Sequence, residues 1–115
     1  MRGRASFLDI RHNGVRARSG AVSVAFVPHA GDEPARVGYS ISHRVGNAVV
    51  RNRLRRRLRA ALSELARLNT PTLRSGLYVI TPSPAAVGLS FTQLRDALAA
   101  ALEKSALLAH RTGSA

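Results

Sequence analysis

The stretch Gly46-Asn47-Ala48-Val49-Val50-Arg51-Asn52-Arg53-Leu54-Arg55-Arg56-Arg57-Leu58-Arg59 decides how this chain is read. Six arginines fall within nine positions and no acidic residue lies among them. Continued through Ala60-Ala61-Leu62-Ser63-Glu64-Leu65-Ala66-Arg67-Leu68, it places Val50, Leu54, Leu58, Ala61, Leu62, Leu65 and Leu68 at three- and four-residue steps. That period is the mark of an amphipathic α-helix. At roughly 100° per residue, Asn52, Arg55, Arg56 and Arg59 gather opposite the Leu54/Leu58/Leu65 stripe. Arg53 extends that face, and Arg51 and Arg57 flank the apolar boundary. The leucines face a core and the arginines face outward.

A charged helix face is ordinarily just a solvated one. Here the energetics oppose that reading. Arg51/Arg55, Arg53/Arg57 and Arg55/Arg59 are like-charge i,i+4 pairs, each unfavourable by roughly 0.2–0.5 kcal/mol. Arg51 and Arg53 also sit near the positive end of the helix macrodipole, at a cost of ~0.3–1 kcal/mol each at low salt. A face selected for stability alone would interleave glutamates. This one concentrates positive potential, as a phosphate-binding surface does.

The rest of the composition agrees. The chain has 115 residues, a net charge of +12 and 45% hydrophobic residues, which predicts one domain over 1–115 with a single small core. All but one of its 18 basic residues are arginine, Lys104 being the exception. A polyanion is the expected partner, and nucleic acid fits better than membrane: the charge shares a helix with core leucines, and tryptophan is absent. With no cysteine, disulfides, thiolate metal sites and cysteine nucleophiles are excluded. The basic start, Met1-Arg2-Gly3-Arg4, has no apolar run behind it to form a signal peptide, and no apolar run approaches ~18 residues. A soluble cytoplasmic protein is the expectation.

Working outward, Asn47 is a good N-cap, and Asn69-Thr70-Pro71 ends the long helix, which spans 48 to 68. Before it, Ala21 to Val27 alternates as a half-buried strand with Val22, Val24 and Phe26 on one side, and Arg36 to Ser42 is read as its antiparallel hairpin partner. The segment Gly14 to Gly20 is a basic connection with room for a brief edge strand. Ser6 and Asp9 cap a short helix from Phe7 to Asn13, stopped by Gly14. After the long helix, Leu77-Tyr78-Val79-Ile80-Thr81 reads as a strand from a sheet centre. Ser90-Phe91-Thr92-Gln93 opens a last helix by a capping box, with Phe91, Leu94, Leu98, Ala101, Leu102 and then Leu107 or Leu108 on its buried face. Residues 1–5 are expected to fray and 110–115 to form a disordered tail. The order is helix, two or three strands, basic helix, strand, helix: a small α+β domain with a helix-covered sheet. If the strands flanking the basic helix are parallel, the crossover is right-handed by general rule.

No catalytic constellation is present. The carboxylates Asp9, Asp32, Glu33, Glu64, Asp96 and Glu103 show no metal-site spacing, and Asp32-Glu33 is turn chemistry. His12, His29, His43 and His110 are scattered, with no HExxH or related pattern. No catalytic residue and no metal ligand is assigned to the protein. Phe7, Tyr39 and Tyr78 are read as core or sheet residues, and so low an aromatic content excludes an RRM-type stacking surface.

The segment Val45-Gly46-Asn47-Ala48-Val49-Val50-Arg51-Asn52-Arg53-Leu54-Arg55-Arg56-Arg57-Leu58-Arg59 closely resembles the "RNR" signature of the bacterial ribonuclease P protein component. The likeness extends to the Phe7 helix ending at Gly14, the strand Val37-Gly38-Tyr39-Ser40-Ile41-Ser42, the apolar strand at 77–81 and the final helix, in that order. The resemblance implies a small α-β sandwich, with order αβ(β)βαβα and a left-handed central βαβ crossover, and on handedness the family overrides the general rule. It implies a subunit that binds a large catalytic RNA and the 5′ leader of precursor tRNA, assisting endonucleolytic removal of the leader. The catalytic centre then lies in the RNA, which chiefly holds the Mg²⁺. No obligate protein partner and no membrane are implied.

By the same resemblance, Arg51, Asn52, Arg53, Arg55, Arg56 and Arg59 match positions that bind the catalytic RNA. Phe7 and Arg11 on the first helix, with Ser42, His43 and Arg44, match the region where the leader lies. The chain departs from its relatives in three places. Arg11 stands where a second aromatic is common, Ala25 where a strand aromatic is common, and Pro82-Ser83-Pro84 where basic residues are common. The rival reading is a general basic RNA- or DNA-binding protein, nucleoid or ribosome-associated, with no processing role.

Overall fold

The computed structural model describes residues 14–29, 31, 33–69 and 73–113. Four strands, β1 (Val15–Ser19), β2 (Val22–Pro28), β3 (Arg36–Tyr39) and β4 (Gly76–Pro82), form one sheet in the order β1-β2-β4-β3. Two helices, α1 (Ala48–Leu68) and α2 (Phe91–Gly113), complete the framework, with short 3-10 turns at His43–Val45 and Pro84–Gly88. The α+β class holds. The expected helix at Phe7 to Asn13 lies outside the described residues.

The pairing differs from the sequence reading in one respect. β2 does not pair with β3; β4 lies between them, antiparallel to β2 and parallel to β3. The hairpin is instead β1–β2, so the segment read as a connection supplies an edge strand. The cause is that β4 is apolar on both faces and seven residues long, so it can satisfy two neighbours, whereas β3 has four residues and suits only an edge. As expected from its composition, β4 is central. β3, α1 and β4 make the βαβ unit.

One sheet face meets both helices. Val22, Val24 and Phe26 of β2 and Tyr78 and Ile80 of β4 point that way and join Leu54, Leu58, Ala61 and Leu65 of α1 and Leu94, Leu98, Ala101 and Leu102 of α2 in one cluster. Phe26 and Tyr78 are register partners whose rings stack at 4.2 Å. Burial pushes the Tyr78 hydroxyl pKa up, partly offset by the Arg74 N–H donating to it at 3.0 Å. Gly76 starts β4 at φ 147°, and a Cβ there would stand 2.3 Å from the Val27 carbonyl oxygen and 2.6 Å from the Phe26 ring. Only glycine lets β4 close on β2 at that point.

Both helix starts follow the sequence. The Asn47 Oδ1 accepts from the Val50 N–H at 3.0 Å, and Asn69 ends α1 in the left-handed region. Ser90 and Gln93 exchange reciprocal hydrogen bonds, a complete capping box. The apolar stripes shift at their ends. Leu68 is exposed, and so are Leu107 and Leu108; the buried face of α2 continues through Ser105 and Ala109. Ser105 is tolerated there because its Oγ donates to the Leu102 carbonyl at 2.7 Å. α2 itself runs to Gly113, past His110, where a tail is expected.

Candidate nucleic-acid interface

All six residues matched to RNA binding lie on α1, five of them away from its apolar stripe and Arg51 at the stripe's flank. Asn52, Arg53, Arg56 and Arg59 are exposed, while Arg51 and Arg55 are half-buried. Asn52 is more than a polar spacer: its Oδ1 accepts from the Arg55 guanidinium at 3.0 Å, which fixes that group along the helix surface. Arg59 rests over the Tyr39 ring, 5.8 Å from its centroid, so β3 steadies the far end of the row. Burial raises the Tyr39 hydroxyl pKa, and the Arg59 charge partly opposes it. Arg57 is set apart, since it donates to the Leu89 carbonyl at 2.5 Å and ties α1 to the loop before α2.

Among the described residues counter-charge is absent along this face. Among the described residues no arginine from 51 to 59 forms an ion pair. Glu64, the only carboxylate on α1, is engaged by Arg95 of α2 at 2.8 Å, and Arg95 also meets Asp96 at 3.2 Å. The guanidinium groups of Arg53 and Arg56 make no hydrogen bond among the described residues. The Nε of Arg51 is buried with no acceptor. A buried donor left without an acceptor costs roughly 1–3 kcal/mol; the donors that α1 presents outward are the exposed guanidinium groups of Arg53 and Arg56.

The turn before α1 is built rigidly. The Ser42 Oγ accepts from the Arg44 N–H at 3.1 Å, Val45 is buried as an anchor, and Ser42, His43 and Arg44 are exposed. Gly46 joins turn to helix at φ 153°, where a Cβ would lie 2.9 Å from the Val50 side chain. Three of the five leader-matched residues therefore stand at the start of α1. The other two, Phe7 and Arg11, lie outside the described residues.

The sheet face away from the helices holds a feature that sequence reading missed. Its register aligns Arg16, Ala25, Val79 and Gly38 in one row across all four strands, with Arg18, Ser23 and Thr81 on one side and Val27, Leu77 and Arg36 on the other. Small side chains occupy the middle of the row, and nothing lies within 4 Å of a Cβ built on Gly38. Arg16, Arg18 and Arg36 are exposed around it. The alternation Val15-Arg16-Ala17-Arg18 carries the signal for β1, but in five residues it is too short to stand out.

A family model described as Ribonuclease P matches residues 1–106. The chain belongs to the bacterial ribonuclease P protein family. It is 43% identical over 110 residues to the ribonuclease P protein component of Thermobifida fusca (strain YX), covering 89% of this chain and 72% of the relative. It is 32% identical over 109 residues to that of Symbiobacterium thermophilum, covering 94% and 91%. Its fold matches the RNase P protein from Thermotoga maritima with a TM-score of 0.77 at 22% identity, over 90% of this chain and 94% of that one. The Staphylococcus aureus RNase P protein gives 0.70 at 20% identity, over 90% and 91%. Members of the ribonuclease P protein family are the protein subunit of an endoribonuclease acting on precursor tRNA, and their partner is the ribonuclease P RNA. These relatives support the processing role over a general basic nucleic-acid binder. Among the described residues no helix is long and apolar enough to cross a membrane.

Proposed function

We propose that α1 binds the catalytic RNA through Arg51, Asn52, Arg53, Arg55, Arg56 and Arg59. The observation that carries this is a helical row of guanidinium groups without counter-charges among the described residues, those of Arg53 and Arg56 being exposed and without a side-chain hydrogen bond there. Planar, always-charged guanidinium groups suit phosphate oxygens and folded RNA shape.

The leader of precursor tRNA lies against Ser42, His43 and Arg44 and along the outer sheet face, with Phe7 and Arg11 contributing from the N-terminal segment. The Arg16/Ala25/Val79/Gly38 row supports this path, since its small floor admits a single strand and its edge arginines meet the backbone. With Ala25 in place of an aromatic, backbone charge replaces base stacking as the main contact there. The site of action is the cytoplasm, where precursor tRNA is processed in bacteria.

Among the described residues, the side chains do not fit the Mg²⁺ that the family implies. Glu64 and Asp96 are taken by Arg95, Glu33 faces His29, and no three His, Asp or Glu side chains among the described residues group to hold a metal ion. The metal belongs with the RNA, and the protein's part is to bind and position. The test compares substrates: the complex with catalytic RNA should bind a precursor carrying a leader more tightly than mature tRNA. Replacing Arg16 and Arg18 by alanine should reduce that preference. An unchanged preference would remove the sheet face from the leader path, and equal affinity of the free protein for duplex DNA and catalytic RNA would argue for a non-specific binder.

A further inference from the structure

Beside the arginine row lies a small groove between the first turns of α1 and the Pro84–Gly88 turn. Val49, Val50, Leu54 and Val87 line it together with Arg53 and Arg57, and its volume is about 160 Å³. Two features are unexplained by folding. Val49 is 75% exposed and Val87 40% exposed, although both border the most highly charged part of the molecule. A β-branched residue on an exposed first helical turn adds nothing to helix stability, and α1 gains nothing for its core from Val49. The two guanidinium groups also differ. Arg57 is held against the wall by the Leu89 carbonyl, whereas Arg53 has no described protein partner and belongs to both the groove and the outward row.

We propose that this groove receives one unstacked nucleobase of the partner RNA, an inference that rests on reading α1 as the RNA-binding face. Its volume matches the scale of an aromatic ring, since a cavity of about 150 Å³ accommodates benzene. Apolar walls and the fixed Arg57 plane suit the faces of a base, and Arg53 at the mouth suits the phosphate beside it. This combination of an aromatic-sized slot with a guanidinium plane is how single-stranded bases in loops and bulges are recognised. The groove is continuous with the arginine row, so a base from an RNA loop lying on α1 can enter without moving the helix. Duplex RNA, whose bases are stacked inside, offers nothing to fill it.

A photo-crosslinking group placed at Val87→Cys should label a single unpaired nucleotide of the catalytic RNA. Removing that base to leave an abasic site should weaken binding by about tenfold. In the Val49→Ala/Val87→Ala double variant, affinity should fall by a similar factor, and the abasic change should then have little further effect. Because these substitutions remove no charge, the dependence of binding on salt should keep its slope. Circular dichroism of the double variant should match the parent, as both positions are exposed. Full-strength binding by the double variant, or crosslinks spread over a paired stem, would overturn the groove assignment while leaving α1 as the RNA-binding face. Failure of the parent protein to bind the RNA would instead remove the reading on which it rests.

Discussion

Replacing Arg53 and Arg56 together by alanine is expected to lower affinity for the catalytic RNA by roughly 10²–10⁴ at low salt, since each charge-assisted hydrogen bond contributes about 1.5–3 kcal/mol. These two arginines are exposed and their side chains make no hydrogen bond among the described residues, so the fold should be untouched. Removing them also relieves part of the like-charge repulsion along α1. Thermal stability should therefore hold or rise slightly while binding falls. The slope of log affinity against log salt should drop by about two, one for each phosphate that is no longer neutralised. Arg57→Ala should differ by lowering stability as well as binding. Its guanidinium is tied to Leu89, so its removal should register first in the packing of α1 against the loop before α2. Binding isotherms at several salt concentrations, with melting curves of each variant, separate the two cases.

Gly76→Ala should be the most damaging single methyl group in the sheet, costing roughly 3 kcal/mol or more and lowering Tm on the order of 10 °C. Two penalties add. The backbone at Gly76 has φ 147°, which side chains of L residues rarely adopt, and the new Cβ would meet the Val27 carbonyl at 2.3 Å. Neither obstacle is the end of a flexible side chain; one is backbone and the other the Phe26 ring stacked on Tyr78. Relief requires β4 to move away from β2, disrupting the centre of the sheet. Gly88→Ala is the control, because nothing lies within 4 Å of a Cβ there. Its melting temperature should stay close to that of the parent.

Much of the molecule is legible in the sequence where its signals are local. α1 is readable from end to end, through a 3.6-residue period with Asn47 before it and Asn69 after it. The capping box of α2 is legible for the same reason. Strand pairing is not, because it depends on which distant segment can satisfy two edges at once, and β4 arrives after α1 in the chain. β1 is too short to be distinguished from a basic connection, so the arginines it places on the outer sheet face escape notice. At the end of α2, the choice of Leu107 or Leu108 follows residue type. Continuing the spacing from Leu98 and Leu102 leads to Ser105 and Ala109, which the structure buries. At the interface, the sequence locates the arginines but not their division of labour. That Asn52 holds Arg55, that Tyr39 carries Arg59 and that Arg57 turns inward all depend on where neighbouring side chains end.

The proposed role, positioning a reaction whose chemistry resides in RNA, is tested most directly by reconstitution. The protein is combined with a bacterial ribonuclease P RNA, and cleavage of precursor tRNA is measured at low Mg²⁺ alongside RNA alone and protein alone. Cleavage is predicted at the 5′ end of the mature tRNA, faster with protein than with RNA alone, and absent with the protein by itself. No gain over RNA alone, or cleavage by the pure protein, would contradict a positioning role.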